Sequence, residues 1–137
     1  MRVLPPVKSL PSPEIFRAMG EQGLKDLLRA VYSRLGASPI AELFPVGEEA
    51  LAAASEKSAL FFIGICGGPP LFEQKYGPPQ MRARHARFRI NDAARLAWLD
   101  CWKQVLESAE TYGFPLAHKA GFWEYLETFS QWMVNVE

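Results

Sequence analysis

The residue of this chain best suited to binding a metal is His85, one of two histidines. It lies within residues 81–90, MRARHARFRI, where arginines are interspersed with apolar residues. A haem requires an axial nitrogen for its iron, apolar surface for the porphyrin and positive charge for its propionates, and this run offers all three. The alternative is a histidine at a helix end that packs against Phe88, and the run alone leaves both interpretations open.

The length and charge of the chain limit the classes of protein it can belong to. Its 137 residues, 49% of them hydrophobic, suffice for one domain whose core needs no metal or disulfide to fold. Its 15 basic and 15 acidic side chains give a net charge of zero. Without a broad positive field the protein cannot readily hold nucleic acid or an anionic membrane surface, so we expect neither partner.

The cysteines and the apolar runs indicate the compartment. Cys66 and Cys101 are too few for a disulfide framework and lie in apolar segments, where we expect them as buried thiols. The longest apolar run, residues 59–66, is far shorter than the roughly 20 residues that span a bilayer, and no signal-peptide pattern opens the chain. We therefore expect a soluble, cytoplasmic protein.

The spacing of apolar residues predicts a helical fold. Leucines recur every three or four residues after Gly20 and predict an amphipathic helix that ends at Leu35, with Tyr32 on its apolar face. No segment alternates apolar and polar residues as a half-buried strand would. We predict a single all-α domain, residues 16–137, preceded by a proline-rich N-terminal extension over residues 1–15.

The region between residues 69 and 90 is predicted to hold little regular structure, because prolines and glycines interrupt it. One helical turn is predicted to begin at Pro79 and to end at His85. The other predicted elements are a turn at residues 40–44 and helices over residues 48–65, from the N-cap Asn91 through residues 92–105, and over residues 122–136.

Taken in order, several segments resemble truncated haemoglobins of group II, the small bacterial and plant globins with a two-over-two helical sandwich. The segments are residues 30–32 (AVY), 43–45 (LFP), 67–69 (GGP), 81–90 and 97–99 (AWL). A lone glycine pair or histidine would be a weak signal, whereas these pieces in order and near the family's spacing are specific. The resemblance extends from about Phe16 to the end of the chain, and it implies a truncated globin fold with haem b as cofactor.

The resemblance also implies roles for individual residues. His85 would be the proximal iron ligand, and Tyr32 and Trp98 would donate hydrogen bonds on the distal side. Ala54 lies where the family often has a small residue over the ligand, so the iron would be five-coordinate or carry water. Arg84 matches the position that pairs with a propionate. The other residues placed around the haem are Phe44, Ser58, Phe61, Met81, Phe88 and Ile90.

Four positions depart from the family pattern. Phe44 and Phe72 stand where relatives often have tyrosines, so a distal hydroxyl and a propionate contact are lost. Ser58 stands where an aliphatic side chain is common, and it restores some polarity. Pro78 replaces the histidine of the usual Gly-His-Pro step, and the proline-rich extension has no family counterpart. These differences bear on haem affinity and ligand kinetics more than on the fold.

The function implied by the resemblance is binding of dioxygen, nitric oxide, carbon monoxide or peroxide at the haem. Hydrogen-bond donors on the distal side would slow the release of dioxygen, which suits nitric oxide dioxygenase or peroxidase-like chemistry better than transport. Such turnover would need a reductase, because nothing in the chain resembles a flavin or nicotinamide site. A haem-free globin-like module for interaction or sensing is the alternative, and both a monomer and a homodimer remain open.

Overall fold

The computed structural model describes residues 10–136, and every regular element among them is helical. Within these residues the α-helices are α1 (Glu14–Leu35), α2 (Glu48–Ile65), α3 (Leu71–Tyr76), α4 (Met81–Arg84), α5 (Asp92–Leu106) and α6 (Lys119–Met133). The 3-10 turns are Ala41–Leu43, Ala109–Tyr112 and Leu116–His118. The prediction of an all-α fold is confirmed. No helix of residues 10–136 combines the length and apolar character needed to cross a membrane.

Helix α1 begins earlier than the sequence predicts and bends at Gly20. Its first turns are already helical, because Ile15 and Met19 bury an apolar face ahead of the bend. Gly20 has φ 70° and ψ −179°, a conformation that costs glycine little and interrupts the helix. After the bend the predicted apolar stripe is fully buried. Its members are Leu24, Leu27, Leu28, Val31 and Leu35.

The long helices pack as two pairs. Helix α1 packs against α2, α5 packs against α6, and contact between α1 and α5 joins the pairs. Aromatic rings fill the space between them: the Phe62 ring centroid lies 5.2 Å from that of Trp102 and 6.1 Å from that of Phe122. Burial of apolar surface, worth roughly 25 cal/mol per Å², therefore holds the two pairs together.

A second hydrophobic cluster lies beside this main core. Three side chains of α6 form its centre: Tyr125, Phe129 and Met133. Half-buried side chains from α2, α4, α5 and the loop before α5 pack on it, among them Phe61, Ile65, Met81, Ile90 and Trp98. All of these except Met81 also pack on the main core. The second cluster therefore joins α6 to segments that carry much of the predicted site.

Helix α5 has its predicted cap and its predicted apolar face. The Asn91 side chain accepts a hydrogen bond of 2.8 Å from the backbone N–H of Ala94, and Asp92 lies in the first turn. On the apolar face Cys101 is buried and Trp98 is half-buried. Cys101 and Cys66 are free, buried thiols, as expected. The cap and the stripe together fix the face of α5 on which Trp98 lies.

The prediction of little regular structure between residues 69 and 90 is wrong for α3. Pro70 precedes this helix at a position where its missing N–H costs no hydrogen bond, and Gly77, at φ 83°, ends it. Its buried side chain is Phe72, with an exposed fraction of 1%. A helix this short shows no periodicity, and tertiary packing stabilises it. The predicted turn is present as α4, which begins at Met81 rather than Pro79 and has His85 as its C-cap.

The start of α1 approaches the end of α2 closely. A Cβ atom on Gly67 would lie 2.5 Å from the Cα of Pro13, and one on Gly68 would lie 2.7 Å from the Phe16 ring. The glycine pair therefore has a packing role, because larger residues would push the two helices apart. Most of the predicted N-terminal extension lies outside the described residues, and its boundary after residue 15 stays a prediction.

Replacing Gly67 by alanine should destabilise the protein more than the same change at Gly47. Both glycines have left-handed backbones, with φ 100° and 101°, but no atom lies within 4 Å of a Cβ built on Gly47. Gly47→Ala therefore carries backbone strain alone, whereas Gly67→Ala adds the clash with Pro13. We expect an additional loss of about 1 to 3 kcal/mol in the free energy of unfolding, measured by urea denaturation. Equal losses in the two variants would contradict this account.

Candidate functional site

His85 lies at the C-terminal end of α4 with one ring nitrogen already engaged. Its Nδ1 atom lies 2.7 Å from the backbone carbonyl oxygen of Met81. Since a carbonyl oxygen can only accept, Nδ1 carries a proton, and in the neutral ring the lone pair then lies on Nε2. A neutral imidazole held in this way by its second nitrogen is the form that ligates metals. The chemistry of this donor fits the axial position of a haem iron.

The surroundings of His85 are largely apolar. The Phe88 ring centroid lies 6.0 Å from the imidazole centroid, with the planes tilted by 46°. Met81 and Ile90, on either side of His85 in the sequence, pack on the second cluster. Packing against Phe88 is therefore present in the structure, and it is compatible with a lone pair on Nε2 that is available to a metal.

Three residues of the predicted distal side lie together between α1, α2 and the turn that joins them. The rings of Tyr32 and Phe44 meet edge to face, with centroids 5.6 Å apart and planes at 86°. The hydroxyl of Ser58 lies near the Tyr32 phenol. Burial raises the pKa of Tyr32 above its ordinary value, and the neighbouring Ser58 hydroxyl partly opposes that shift. The phenol therefore keeps its proton at neutral pH and can donate it to a hydrogen bond.

Trp98 and Phe61 stand where the two hydrophobic clusters meet. The Trp98 ring centroid lies 6.0 Å from that of Trp102 in the main core and 6.3 Å from that of Phe129 in the second cluster. Phe61, on α2, lies 5.7 Å from the same Phe129 ring. Trp98 is half-buried, and its indole N–H can only donate a hydrogen bond.

Arg84 is tied to the loop between α3 and α4. Its Nε donates to the Pro79 carbonyl oxygen at 2.6 Å, and its Nη2 donates to the carbonyl oxygens of Tyr76 and Pro78 at 2.9 Å each. The guanidinium carbon lies 5.1 Å from the Phe72 ring centroid. These bonds use three of the five N–H donors of an arginine, so the two on Nη1 remain for a carboxylate.

Two lysines that the sequence analysis did not single out lie over the ring of Tyr76. The Nζ atoms of Lys57 and Lys75 lie 4.6 Å and 5.5 Å from the Tyr76 ring centroid. We call Lys57, Lys75 and Arg84 the cationic rim, since all three contact Tyr76. The signal for Lys57 was available in the sequence, because it follows Ala54 by three positions and therefore shares its side of α2.

The C-terminal tail, residues 134–136, is hydrogen-bonded to the loop that follows His85. The side-chain oxygen of Asn135 accepts from the Ile90 N–H at 2.9 Å, and its nitrogen donates to the carbonyl oxygens of Phe88 at 2.9 Å and His85 at 3.4 Å. The sequence analysis did not find Asn135. The predicted helix over residues 122–136 includes this tail, but α6 ends at Met133 and the tail bonds to Ile90, 45 positions earlier in the chain.

The predicted site residues are similar in their exposure to solvent. Ten of the eleven, including Ala54 on α2, are half-buried, and only Arg84 is exposed. Apolar side chains held at this depth on several helices suit the face of a flat, apolar group. In the second cluster the indole N–H of Trp132 is buried without a hydrogen-bond partner among residues 10–136, and such a donor normally has an acceptor. With the imidazole of His85, these residues fit a haem.

A cavity of about 230 Å³ lies elsewhere, between residues 10–12 and the start of α6. None of the predicted site residues lines it. Its lining includes Tyr125, whose pKa is raised by burial, and His118. His118 is half-buried and lies in a 3-10 turn beside α6.

Comparison with known proteins identifies the family. Residues 14–135 match the model of the family described as bacterial-like globin. Group 2 truncated hemoglobin YjbI of Bacillus subtilis (strain 168) is 34% identical over 92 residues, which cover 67% of this chain and 68% of that protein.

Solved structures share the fold over nearly the whole chain. Phosphate-bound Hell's gate globin IV is 38% identical with a TM-score of 0.87, covering 95% of this chain and 79% of its own. The group II truncated hemoglobin from Bacillus anthracis is 30% identical with a TM-score of 0.78, covering 94% and 95%. The truncated oxygen-avid haemoglobin from Bacillus subtilis is 30% identical with a TM-score of 0.77, covering 90% and 99%. The chain belongs to the bacterial-like globin family as a two-over-two truncated haemoglobin of group II, and this membership implies haem-based binding of diatomic gases.

Proposed function

We propose that this chain binds haem b through His85 and holds dioxygen and related diatomic gases on the opposite side, with Tyr32 and Trp98 as hydrogen-bond donors. The observation that carries the proposal is the 2.7 Å contact between His85 Nδ1 and the Met81 carbonyl oxygen. It leaves the lone pair of Nε2 free and fixes the direction of the ring, as an axial ligand of the iron requires. Bound ferrous haem supplies an open coordination position for a gas.

Tyr32 is the main hydrogen-bond donor that we propose for the bound gas. Its side chain is half-buried, the phenol keeps its proton because burial raises its pKa, and the Ser58 hydroxyl lies near it. In a pocket from which water is largely excluded, a hydrogen bond to a group that gains negative charge is worth about 1.5 to 3 kcal/mol. Tyr32 would therefore slow the release of dioxygen.

Ser58 provides a hydroxyl group near Tyr32, where Phe44 lacks the hydroxyl that a tyrosine would have. Phe44 offers Tyr32 only an edge-to-face ring contact. The Ser58 hydroxyl can accept a hydrogen bond from the phenol or donate one to it, since a hydroxyl has both capacities. We infer that Ser58 orients the phenol and competes with the gas for its proton, so that it tunes the strength of the distal hydrogen bond.

The cationic rim would hold the carboxylate groups of the haem. Arg84 donates to the Tyr76 carbonyl oxygen through Nη2 and keeps its Nη1 hydrogens, and the Nζ groups of Lys57 and Lys75 lie over the ring of the same tyrosine. A guanidinium with an ammonium nearby suits two carboxylates that reach the protein surface. This arrangement supports the predicted propionate role of Arg84 and extends it to Lys57.

Slow gas release suits chemistry on the held ligand better than transport. We infer oxidation of nitric oxide or reduction of peroxide as the reaction class. Repeated turnover of either reaction consumes electrons, and a separate reductase would supply them, because a haem protein of this kind carries no electron source of its own. Turnover measured with and without a reducing partner would separate this role from gas binding alone.

Purified protein should show a haem absorption band, and His85→Ala should lose most of it, because the axial nitrogen is removed. The measurement is the visible spectrum of the oxidised, reduced and carbon monoxide forms. His118→Ala is the matched control: His118 lines the separate cavity, so its loss should leave the spectrum unchanged. An unaltered spectrum in His85→Ala would refute the ligand assignment, and a wild-type chain that takes up no added haem would favour the haem-free module.

Tyr32→Phe should accelerate dioxygen release by about ten- to a hundredfold, because the variant keeps the ring and removes the donor. Stopped-flow displacement of dioxygen by carbon monoxide gives the rate. Tyr112→Phe removes a hydroxyl in the 3-10 turn Ala109–Tyr112 and should leave the rate unchanged. A release rate in Tyr32→Phe equal to that of the wild type would exclude Tyr32 as the distal donor.

Ser58→Ala should raise the pKa of Tyr32 further. The Ser58 hydroxyl lowers this pKa by stabilising the phenolate, so removing it leaves burial unopposed. The titration is followed by NMR of tyrosine labelled at Cζ with carbon-13. Ser55→Ala serves as control, because the Ser55 hydroxyl donates to the Ala52 carbonyl oxygen on the same helix. If the Tyr32 pKa stayed at its wild-type value in Ser58→Ala, the contact would be absent in solution.

A further inference from the structure

We propose that Asn135 is a positioning residue for the proximal imidazole, so that the C-terminal tail sets the orientation of His85. This inference rests on the proposed role of His85 as the iron ligand. Asn135 contacts the His85 loop through its side chain and its backbone, and nothing in the sequence pattern marks it for this role. The argument has three parts, which concern the weakness of the local structure, the number of bonds and the identity of the side chain.

The segment that carries His85 cannot fix its own position. Helix α4 spans only Met81–Arg84, a single turn, and an isolated helix of that length is not stable in water. Residues 86–89 are mostly exposed, and α5 begins only at Asp92. The direction of the imidazole therefore depends on what anchors this segment to the rest of the protein.

The anchor is the end of α6 with its tail. Arg82, on α4, donates through Nε to the Trp132 carbonyl oxygen at 2.9 Å and through Nη2 to the Val134 carbonyl oxygen at 3.2 Å. The backbone N–H groups of Asn135 and Val136 donate to the Ile90 carbonyl oxygen at 2.9 Å and 3.3 Å. These bonds hold the segment at both ends, three residues before His85 and five residues after it.

The Asn135 side chain forms hydrogen bonds with the part of the segment between these two ends. Its Oδ1 accepts from the Ile90 N–H, and its Nδ2 donates to the carbonyl oxygens of Phe88 and His85. This set requires an amide, because a carboxylate cannot donate and an apolar side chain can do neither. The carbonyl of His85 also accepts from the Phe88 N–H at 3.0 Å, so Asn135 fixes the backbone of the residue whose ring would ligate the metal.

We infer that these hydrogen bonds fix the orientation of the His85 imidazole, and with it the bond from His85 to the iron. With the backbone of His85 held by Asn135 and its Nδ1 held by Met81, the imidazole has little freedom to rotate. Partners beyond the direct ligand commonly tune metal sites by fixing ring orientation in this way, with effects of about ten- to a hundredfold on affinity when they are removed.

The test compares Asn135→Ala, Asn135→Asp and Arg95→Ala with the wild type. Arg95 donates to the Ser130 hydroxyl and the Glu127 carbonyl oxygen, both at 3.0 Å, so Arg95→Ala also removes hydrogen bonds to α6 but none to the His85 loop. Asn135→Asp keeps the acceptor for Ile90 and loses both donors. Resonance Raman spectroscopy of the reduced haem protein measures the iron–histidine stretching band, and haem transfer to apomyoglobin measures retention.

We expect both Asn135 variants to shift or broaden the iron–histidine band and to release haem about tenfold faster, whereas Arg95→Ala keeps the wild-type band. In protein prepared without haem, the Ile90 N–H should exchange with solvent faster in Asn135→Ala and remain protected in Asn135→Asp. Wild-type bands in both Asn135 variants would overturn the positioning role. That result is distinct from failure of the proposed function, in which His85→Ala would itself leave the iron ligation unchanged.

Discussion

The hydrogen bond between the His85 ring and the Met81 carbonyl is the interaction on which the proposed chemistry of this protein depends. The distance of 2.7 Å from Nδ1 to an obligate acceptor determines which ring nitrogen carries the proton. The same bond orients the ring relative to α4, since donor and acceptor lie one helical turn apart. A ring protonated at Nε2 would have no lone pair facing outward for a metal.

The rest of the fold places apolar side chains around that ring and two hydroxyl groups between α1 and α2. The two helix pairs bury the main core, and the second cluster extends the apolar surface from α6 to Met81 and Trp98. Between α1 and α2, Tyr32 and Ser58 provide hydroxyl groups beside the ring of Phe44. Polar groups are thus few and individually placed, which is typical of a site that binds a large apolar cofactor.

Periodicity sufficed to predict the elements that bury a continuous stripe. Helix α2 spans the predicted residues, and α5 has the predicted cap at Asn91. Helix α3 and the first turns of α1 escaped prediction because each is short, adjoins prolines and is stabilised by tertiary contacts such as the burial of Phe72. In such segments packing decides the conformation, and local pattern carries little information.

The candidate site divides in the same way. Tyr32 and Trp98 were singled out by a helical stripe and by the resemblance to group II truncated haemoglobins, and His85 by its run of arginines and apolar residues and by the same resemblance. Asn135 was missed because its contacts join distant parts of the chain, and the neighbour of Ser58 became visible only once α1 and α2 were packed together. Lys57 was overlooked although its spacing from Ala54 places both on one side of α2. Long-range polar contacts leave no periodic trace in a sequence.

The tautomer of His85 tests the central claim most directly. Long-range proton–nitrogen correlation NMR of nitrogen-15-labelled histidine, on protein prepared without haem and at about pH 8, above the ordinary histidine pKa of about 6.5, distinguishes the two neutral forms. The account predicts a protonated Nδ1 and an unprotonated Nε2 for His85. A proton on Nε2 would contradict it, because the nitrogen assigned to the metal would then have no lone pair with which to bind the iron.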